Sequence, residues 1–453
     1  MNKLLLIIAF FTALVISIIF FPDGASAVLV CLLTSLIAVP IIFHYTADSP
    51  PTRSFLLNIF IVGLLVRVLI AVVTHVFNLQ AFFCVDALAF DETGAYISSL
   101  WTGEPYLMWD RDAVEQLSNL KTSGWGISYL AAAFYAVLGR NPLAVQMFIS
   151  VLGAVTPVFT YVIAKQIYGN ERVARLSAIF VMAFPSIALW SSQILKDGVM
   201  VFFLAAALCL VLELQTRFRL SYLVLLLGCL GGIAAFRFYV LFALVPAILA
   251  GFLIDPLKSI HYLVFRTTAI LIIAVSLSYL GFLGSMERSL GTDYNLERLN
   301  RNRQYLAEAG ESGYGRDLDV STAGGISVAL PVGFTYLMLA PFPWDVTNFR
   351  QAVTLPEVLV WWAMIPFLIY GLWYTLRHRL RQSISILLFL FVLTITYSIS
   401  QGNVGTAYRQ RSQIQVFYFI FVAVGLSIVQ EKRDDAKLLK KVTFRRAARL
   451  RDA

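Results

Sequence analysis

The chain contains repeated, uninterrupted apolar runs of roughly 20 residues, and these runs constrain its fold more than any other feature. A helix of that length crosses the hydrocarbon core of a bilayer. Only helices and closed barrels satisfy every backbone hydrogen bond in lipid, and barrel strands alternate apolar with polar residues. Composition agrees, because 59% of the 453 residues are hydrophobic and only 13% are charged. The sequence therefore predicts an all-α, polytopic transmembrane helical bundle.

Twelve spans are predicted from these runs. They lie at 4–21, 27–43, 54–77, 141–163, 174–190, 198–214, 220–236, 238–254, 264–283, 357–375, 383–399 and 413–429. This arrangement concentrates lysine and arginine on one side of the membrane, which the positive-inside rule identifies as the cytoplasm. Both termini are then cytoplasmic. We expect a multi-pass protein of a bacterial inner membrane.

Two shorter apolar segments, 127–138 and 328–340, are predicted to be juxtamembrane or re-entrant helices on the outer face. The first would form a helix of about 18 Å, whereas the hydrocarbon core is about 30 Å thick. They lie within two large outer regions, 78–140 and 284–355. The second region contains a glycine-rich stretch at 310–325, which indicates either a closing substrate loop or a disordered one.

The last residues, 430–453, form a basic tail that follows the bundle at 1–429. A net charge of +9 is compatible with nucleic-acid binding, but much of the positive charge lies in this tail. Basic residues beside a final span are typical of a cytoplasmic anchor that is attracted to anionic lipid. We therefore expect membrane lipid as a partner and no nucleic acid.

Three carboxylates, Asp86, Asp91 and Glu92, follow an apolar stretch in the first outer region. Charge is costly in membrane proteins and usually serves function. The predicted outer face also carries charged residues from separate loops: Lys196, Asp197, Arg237, Arg350, Arg409 and Arg411. A carboxylate can accept a proton from a hydroxyl, and cations can hold a phosphate leaving group. No cofactor is certain, although the three carboxylates could ligate a divalent cation such as Mg or Mn.

The stretch Phe90-Asp91-Glu92-Thr-Gly-Ala-Tyr96, continued by Gly103-Glu-Pro105, resembles the first outer loop of the GT-C membrane glycosyltransferases. The likeness is greatest to family 39, which includes protein mannosyltransferases and the lipid A aminoarabinose transferase. Lys196-Asp197 stands where that family often has Arg-Pro-Asp. The usual His-Pro-Pro motif is absent, and Thr122-Ser-Gly-Trp-Gly126 takes its place. The resemblance covers roughly 54–215.

This resemblance implies a GT-C-like fold and an enzyme that transfers a sugar from a polyprenyl-phosphate donor, with inversion, to an acceptor hydroxyl on the outer face. The acceptor could be a glycan, a lipid or a protein. Asp91 would be the general base, and Glu92 or Asp86 would orient the acceptor or the base. Cations at four positions would bind the lipid phosphate: Lys196, Arg237, Arg409 and Arg411.

Two other functions are compatible with the sequence. An O-antigen or exopolysaccharide polymerase or ligase also has many spans and arginine-bearing outer loops. A lipid-linked sugar flippase would show internal symmetry and polar or broken helices near the bilayer centre. The position of Asp91 discriminates among them, because a transferase needs its base in an outer cavity near several cations. A purely structural role is also open, since Asp91 and Glu92 could cap a helix.

Overall fold

The computed structural model describes residues 23–46, 49–103, 125–254, 296–308, 312–346 and 348–451, together with a few isolated residues, and describes side chains up to residue 435. The helices are α1 (Gly24–Tyr45), α2 (Pro50–Val76), α3 (Gln80–Phe83), α4 (Val85–Thr102), α5 (Gly126–Leu138), α6 (Pro142–Tyr168), α7 (Glu171–Ala183), α8 (Pro185–Trp190), α9 (Lys196–Thr216), α10 (Leu220–Arg237), α11 (Leu241–Ile254), α12 (Leu296–Glu308), α13 (Ala323–Leu339), α14 (Phe349–His378), α15 (Leu380–Ser400) and α16 (Val404–Arg451). Helix α16 continues through the predicted boundary between bundle and tail.

Eight helical stretches in the described residues are long and apolar enough to cross a bilayer. They are α1, α2, α6, α9, the α10–α11 pair, α14, α15 and the first part of α16. The predicted all-α, multi-pass bundle is thereby confirmed. The runs predicted at 4–21 and 264–283 lie almost entirely outside the described residues. Helices α5 and α13 are the two shorter apolar helices, as expected from their length.

The α10–α11 pair reverses direction, as the two predicted spans at 220–236 and 238–254 require. Arg237, at the end of α10, reaches Asp197 at the start of α9. Gly251, near the end of α11, lies against the other end of α9, where a Cβ atom would collide with the Gln215 side chain. The short 3-10 turn Phe238–Val240 therefore separates two antiparallel segments.

The run predicted as a single span at 174–190 is divided in the structure. Helix α7 ends at Ala183, and α8 begins at Pro185 after the extended residue Phe184. Proline has no amide hydrogen and disfavours helical geometry in the residue before it, so the break falls here. Neither helix is long enough to be counted among the candidate spans.

The predicted outer turn after α8 is buried inside the bundle. Ser192, Gln193 and Asp197 have no exposed surface. The Gln193 amide donates to Thr74 Oγ1 at 2.9 Å and accepts from Gln146 Nε2 at 2.9 Å. These hydrogen bonds satisfy polar groups that would be costly to bury unpaired. The turn that the sequence predicts between the spans at 174–190 and 198–214 is therefore enclosed by other helices.

Helices α6, α9 and α16 form the centre of the bundle. In their most apolar windows, 89%, 83% and 83% of the residues are buried, against 22% for α14. Helix α14 packs along α16. A Cβ atom at Gly371 or Gly425 would collide with the backbone of the facing helix. Small residues thus permit the close approach that holds α14 and α16 side by side, away from their first turns.

The segment at 312–322, within the second predicted outer region, contacts helices α12 and α13. Arg303 on α12 is buried and donates from Nη1 to the carbonyl oxygens of Gly315 and Leu318, at 2.8 and 3.1 Å. The Tyr314 ring stacks on the Tyr336 ring with centroids 4.1 Å apart. The glycine-rich stretch therefore has fixed contacts where it meets the start of α16.

Arg67, which lies within a span, is hydrogen-bonded inside the bundle. It is completely buried in α2. Its Nε donates to Ser191 Oγ at 2.7 Å, and its Nη1 donates to the Gly63 carbonyl oxygen at 3.0 Å. These partners are neutral, and they connect α2 to the buried turn after α8.

Candidate active site

Four charged residues from four helices form a continuous chain of ion pairs at one end of the bundle. Asp86 Oδ2 lies 2.5 Å from Arg409 Nη1. Arg409 Nε lies 2.8 Å from Asp197 Oδ2, and Asp197 Oδ1 lies 2.6 Å from Arg237 Nη2. All four residues were predicted as site residues from sequence. The fold brings them together from α4, α16, α9 and α10.

Asp197 holds this chain in place. Its carboxylate is fully buried between Arg237 and Arg409 and also accepts a hydrogen bond from Gln413 Nε2 at 3.1 Å. It lies in the first turn of α9, where the helix dipole favours negative charge. Burying a carboxylate is tolerated only with such compensation. Asp197 therefore positions the two guanidinium groups and has no exposed surface with which to meet a phosphate.

A cavity of about 770 Å³ opens beside the exposed end of this chain. Its walls come from the segment before α4 and from the starts of α8, α14 and α16. The charged or hydrogen-bonding residues that line it include Asp86, Trp190, Arg350, Glu357, Tyr408 and Arg409. Its volume is within the range typical of small-molecule sites. The cavity thus presents one carboxylate–guanidinium pair to a ligand.

Asp91 lies outside this cavity. Its Oδ1 accepts a hydrogen bond from the Tyr135 hydroxyl at 2.5 Å, and its Oδ2 pairs with Arg140 Nη2 at 2.7 Å. Burial, reinforced by the neighbouring carboxylate, raises the pKa of Tyr135, so its hydroxyl stays protonated and donates. Asp86 and Asp91 are five residues apart on α4, which separates their side chains by about 140° around the helix axis. The structure therefore gives the two aspartates different surroundings.

Lys196 lies near the chain of ion pairs, but neither Lys196 nor Glu92 lines the cavity. The Lys196 ammonium group lies 4.7 Å from the centre of the Phe90 ring, and it interacts electrostatically with Asp197 and Asp86. Glu92 is exposed on α4.

Arg350 and Arg411 occupy different environments. Arg350 is exposed at the cavity wall, with its guanidinium 5.0 Å from the centre of the Phe82 ring. Arg411 is 1% exposed, and its Nη1 donates to the carbonyl oxygens of Met338 and Ala340 at 3.1 and 2.9 Å. Arg411 therefore joins α13 to α16, whereas Arg350 is available to an anion in the cavity.

A sequence profile described as dolichyl-phosphate-mannose-protein mannosyltransferase matches residues 124–279. Over these residues, about a third of the chain, the sequence is similar to that family. The matched segment includes Tyr135, Arg140, Lys196, Asp197 and Arg237, but neither Asp86 nor Arg409. A search of curated proteins returns no match.

Two solved structures are similar to this chain in part. One is ArnT from Cupriavidus metallidurans bound to undecaprenyl phosphate, with 12% identity and a TM-score of 0.40 over 66% of this chain and 49% of that one. The other is the archaeal oligosaccharyltransferase AglB from Archaeoglobus fulgidus, in complex with an inhibitory peptide and a dolichol-phosphate. It has 13% identity and a TM-score of 0.38 over 79% of this chain and 52% of that one. The chain spans about half the length of each.

Several residues of this region were missed from sequence. Tyr135 and Arg140 hold Asp91, and Glu357, Tyr408 and Trp190 line the cavity. The sequence could have identified Glu357, because it is a carboxylate at the very start of an apolar run. The tyrosines and the tryptophan resembled an ordinary interfacial belt.

The three predicted carboxylates do not form a metal cluster here. Within the described ranges, no group of three or more His, Cys, Asp or Glu side chains is arranged to hold a metal ion. Asp86 is engaged by Arg409, and Asp91 is engaged by Tyr135 and Arg140.

Proposed function

We propose that this protein transfers a sugar from a polyprenyl-phosphate carrier to an acceptor hydroxyl at the outer face of a bacterial inner membrane. The observation that carries the proposal is the pair formed by Asp86 and Arg409, which lines a sugar-sized cavity and is fixed by the buried Asp197. The family match supports a lipid-phosphate donor, because the matched family is described by such a donor.

Asp86 is the group that we assign as general base. Its side chain is 52% exposed and lines the cavity, whereas both oxygens of Asp91 are already engaged. As the acceptor oxygen attacks the anomeric carbon, Asp86 accepts the hydroxyl proton. The carbon–oxygen bond to phosphate breaks on the opposite face, which inverts the anomeric configuration. Asp91 then serves to hold α4 against α5.

Arg409 and Arg350 are the cations that we assign to the leaving phosphate. Both line the cavity with Asp86. The electron pair of the breaking bond moves onto a phosphate oxygen, and the guanidinium groups stabilise the charge that develops there. Arg237 is 7% exposed and bound to Asp197, so it supports Arg409 through that carboxylate.

The positions of the helix ends support an orientation. Asp86, Asp197 and Arg237 lie at one end of the bundle, and α16 carries the basic tail to the opposite end. A cytoplasmic tail places the cavity on the outer side. The twelve-span arrangement predicts that both termini are cytoplasmic.

The test is sugar transfer by the purified protein from labelled polyprenyl-phosphate sugars to glycan, lipid and protein acceptors. Asp86→Asn should lower kcat by about 10²- to 10⁴-fold with donor binding retained, because only the proton acceptor is lost. Parallel reactions with a chelator, and with added Mg or Mn, test the predicted divalent cation.

Glu431→Gln, an exposed substitution at the opposite end of the bundle, is the matched control. Full activity in Asp86→Asn, together with collapse in Asp91→Asn, would return the base role to Asp91. Donor binding without turnover for any acceptor would overturn the transferase proposal and favour a flippase.

A further inference from the structure

Glu357 is a buried carboxyl in the cavity wall. It is 9% exposed, it lies on α14, and its Oε2 accepts a hydrogen bond from the backbone amide of Ser186 at 2.7 Å. Its Oε1 has no hydrogen bond of ordinary geometry within the described part of the chain. A carboxyl inside a membrane protein is costly, and spare hydrogen-bonding capacity beside a cavity indicates a ligand.

Two aromatic residues beside Glu357 have complementary groups. Trp190 and Tyr408 both line the cavity, with ring centroids 6.4 Å apart. The Trp190 indole N–H is buried without an acceptor among the described residues, and the Tyr408 hydroxyl is close enough to the Glu357 carboxyl to interact with it as a donor. A sugar ring fits this set, because its hydroxyls both donate and accept while its C–H faces contact aromatic rings.

Helix α14 contributes one positive and one negative residue to the cavity wall, at different heights along its axis. Arg350 and Glu357 both line it and are seven residues apart, which separates them by about 10 Å along the helix axis. Much of the remaining polar wall is neutral and consists of hydroxyl and amide groups, including those of Ser186, Ser312, Thr354, Asn403 and Thr406. A phosphate fits the arginine end, and an uncharged polyol fits the Glu357 end.

We infer that Glu357, Trp190 and Tyr408 form a subsite for a neutral sugar ring and disfavour a uronic acid, an inference that rests on the proposed transfer reaction. The Glu357 carboxylate accepts a ring hydroxyl and repels a second carboxylate. The ring belongs either to the donor or to a sugar acceptor.

The experiment measures binding to the purified full chain of three carriers: bare polyprenyl phosphate, its neutral hexose ester and its hexuronic acid ester. The wild type should bind the hexosyl carrier on the order of tenfold more tightly than the hexuronosyl carrier, as expected for one charged hydrogen bond. Glu357→Gln should remove most of this discrimination and leave affinity for the bare carrier unchanged.

Two further variants keep the inference testable. Trp190→Phe keeps the aromatic ring but removes the N–H, and it should weaken binding of the hexosyl carrier alone. Glu431→Gln should change no affinity. Glu357 also accepts from the first turn of α8, so a purely structural role is the competing explanation. Glu357→Gln with weaker binding of all three carriers and a lower Tm would establish that role and overturn the subsite.

Binding of a methyl hexoside, measured with bare polyprenyl phosphate present, shows whether the sugar ring in the subsite belongs to the donor or to the acceptor. If Glu357→Gln weakens methyl hexoside binding and leaves carrier discrimination intact, the subsite belongs to the acceptor. Unchanged discrimination and unchanged methyl hexoside binding would overturn the inference. These binding measurements need no turnover. A transferase without this subsite would transfer sugar but show no dependence of binding on Glu357. A sugar-binding protein without transferase activity would show that dependence but no sugar transfer.

Discussion

Helix α4 carries two aspartates on different faces, and these differ in how far they are exposed. Asp86 lines a cavity with its side chain 52% exposed, whereas the Asp91 side chain is 10% exposed and engaged through both oxygens. Only five residues separate them. The comparison teaches that enclosure, rather than residue type or motif position, distinguishes a carboxylate that can meet a substrate from one that holds a helix.

Asp197 extends the comparison to a third carboxylate, which is wholly buried between two guanidinium groups. The three aspartates therefore form a series of increasing enclosure, from Asp86 through Asp91 to Asp197. Stability should depend most on the enclosed members, and catalysis should depend most on the open one.

The largest effect is expected from Asp197→Asn. Removing this charge takes away the carboxylate that pairs with the buried Arg237 and one of the two that pair with Arg409, which should lower the free energy of unfolding by about 3–5 kcal/mol. Denaturant or thermal unfolding in detergent measures it. Asp345→Asn, at an exposed position, is the control and should be neutral. Wild-type stability in Asp197→Asn would mean that the buried pairs do not organise the site.

A smaller effect is expected at Asp91. Asp91→Ala should cost about 1–3 kcal/mol, because the buried Tyr135 hydroxyl loses its acceptor. The pair with Arg140 adds little, since that guanidinium is 48% exposed. Asp86→Ala should change stability by less than about 0.5 kcal/mol. The same unfolding assay compares them, and a reversed order would contradict the assignment of roles.

The smallest expected effect concerns Cys84, which lines the cavity next to Asp86 and is 3% exposed. Burial raises the pKa of its thiol to about 12. Below that pH the thiol is protonated, so the thiolate fraction should increase about tenfold per pH unit between pH 7 and 10.

Alkylation of Cys84 by iodoacetamide should follow that dependence, measured by mass spectrometry with Cys84→Ala as the background. A rate that levels off near pH 9 would show an ordinary, solvated thiol. Slower alkylation in the presence of polyprenyl phosphate is also expected, because that ligand would occupy the Cys84 side of the cavity.

Local sequence determined the fold class. Hydropathy and length depend on neighbouring residues, so the continuous runs identified α1, α2, α6, α9, α14, α15 and α16 as membrane helices. The break before Pro185 and the burial of the following turn were missed. The first depended on one proline, and the second depended on Thr74 and Gln146, which belong to other helices.

The sequence by itself also identified Asp86, Asp197, Arg237 and Arg409 as candidates, because charge in an apolar chain is rare enough to be conspicuous. Only the tertiary structure decided which carboxylate faces a ligand. Asp86 meets Arg409 across 323 residues and Asp197 meets Gln413 across 216. The face of α4 that turns to the cavity is set by packing against α5, and helix propensity and hydropathy contain no information about such distant contacts.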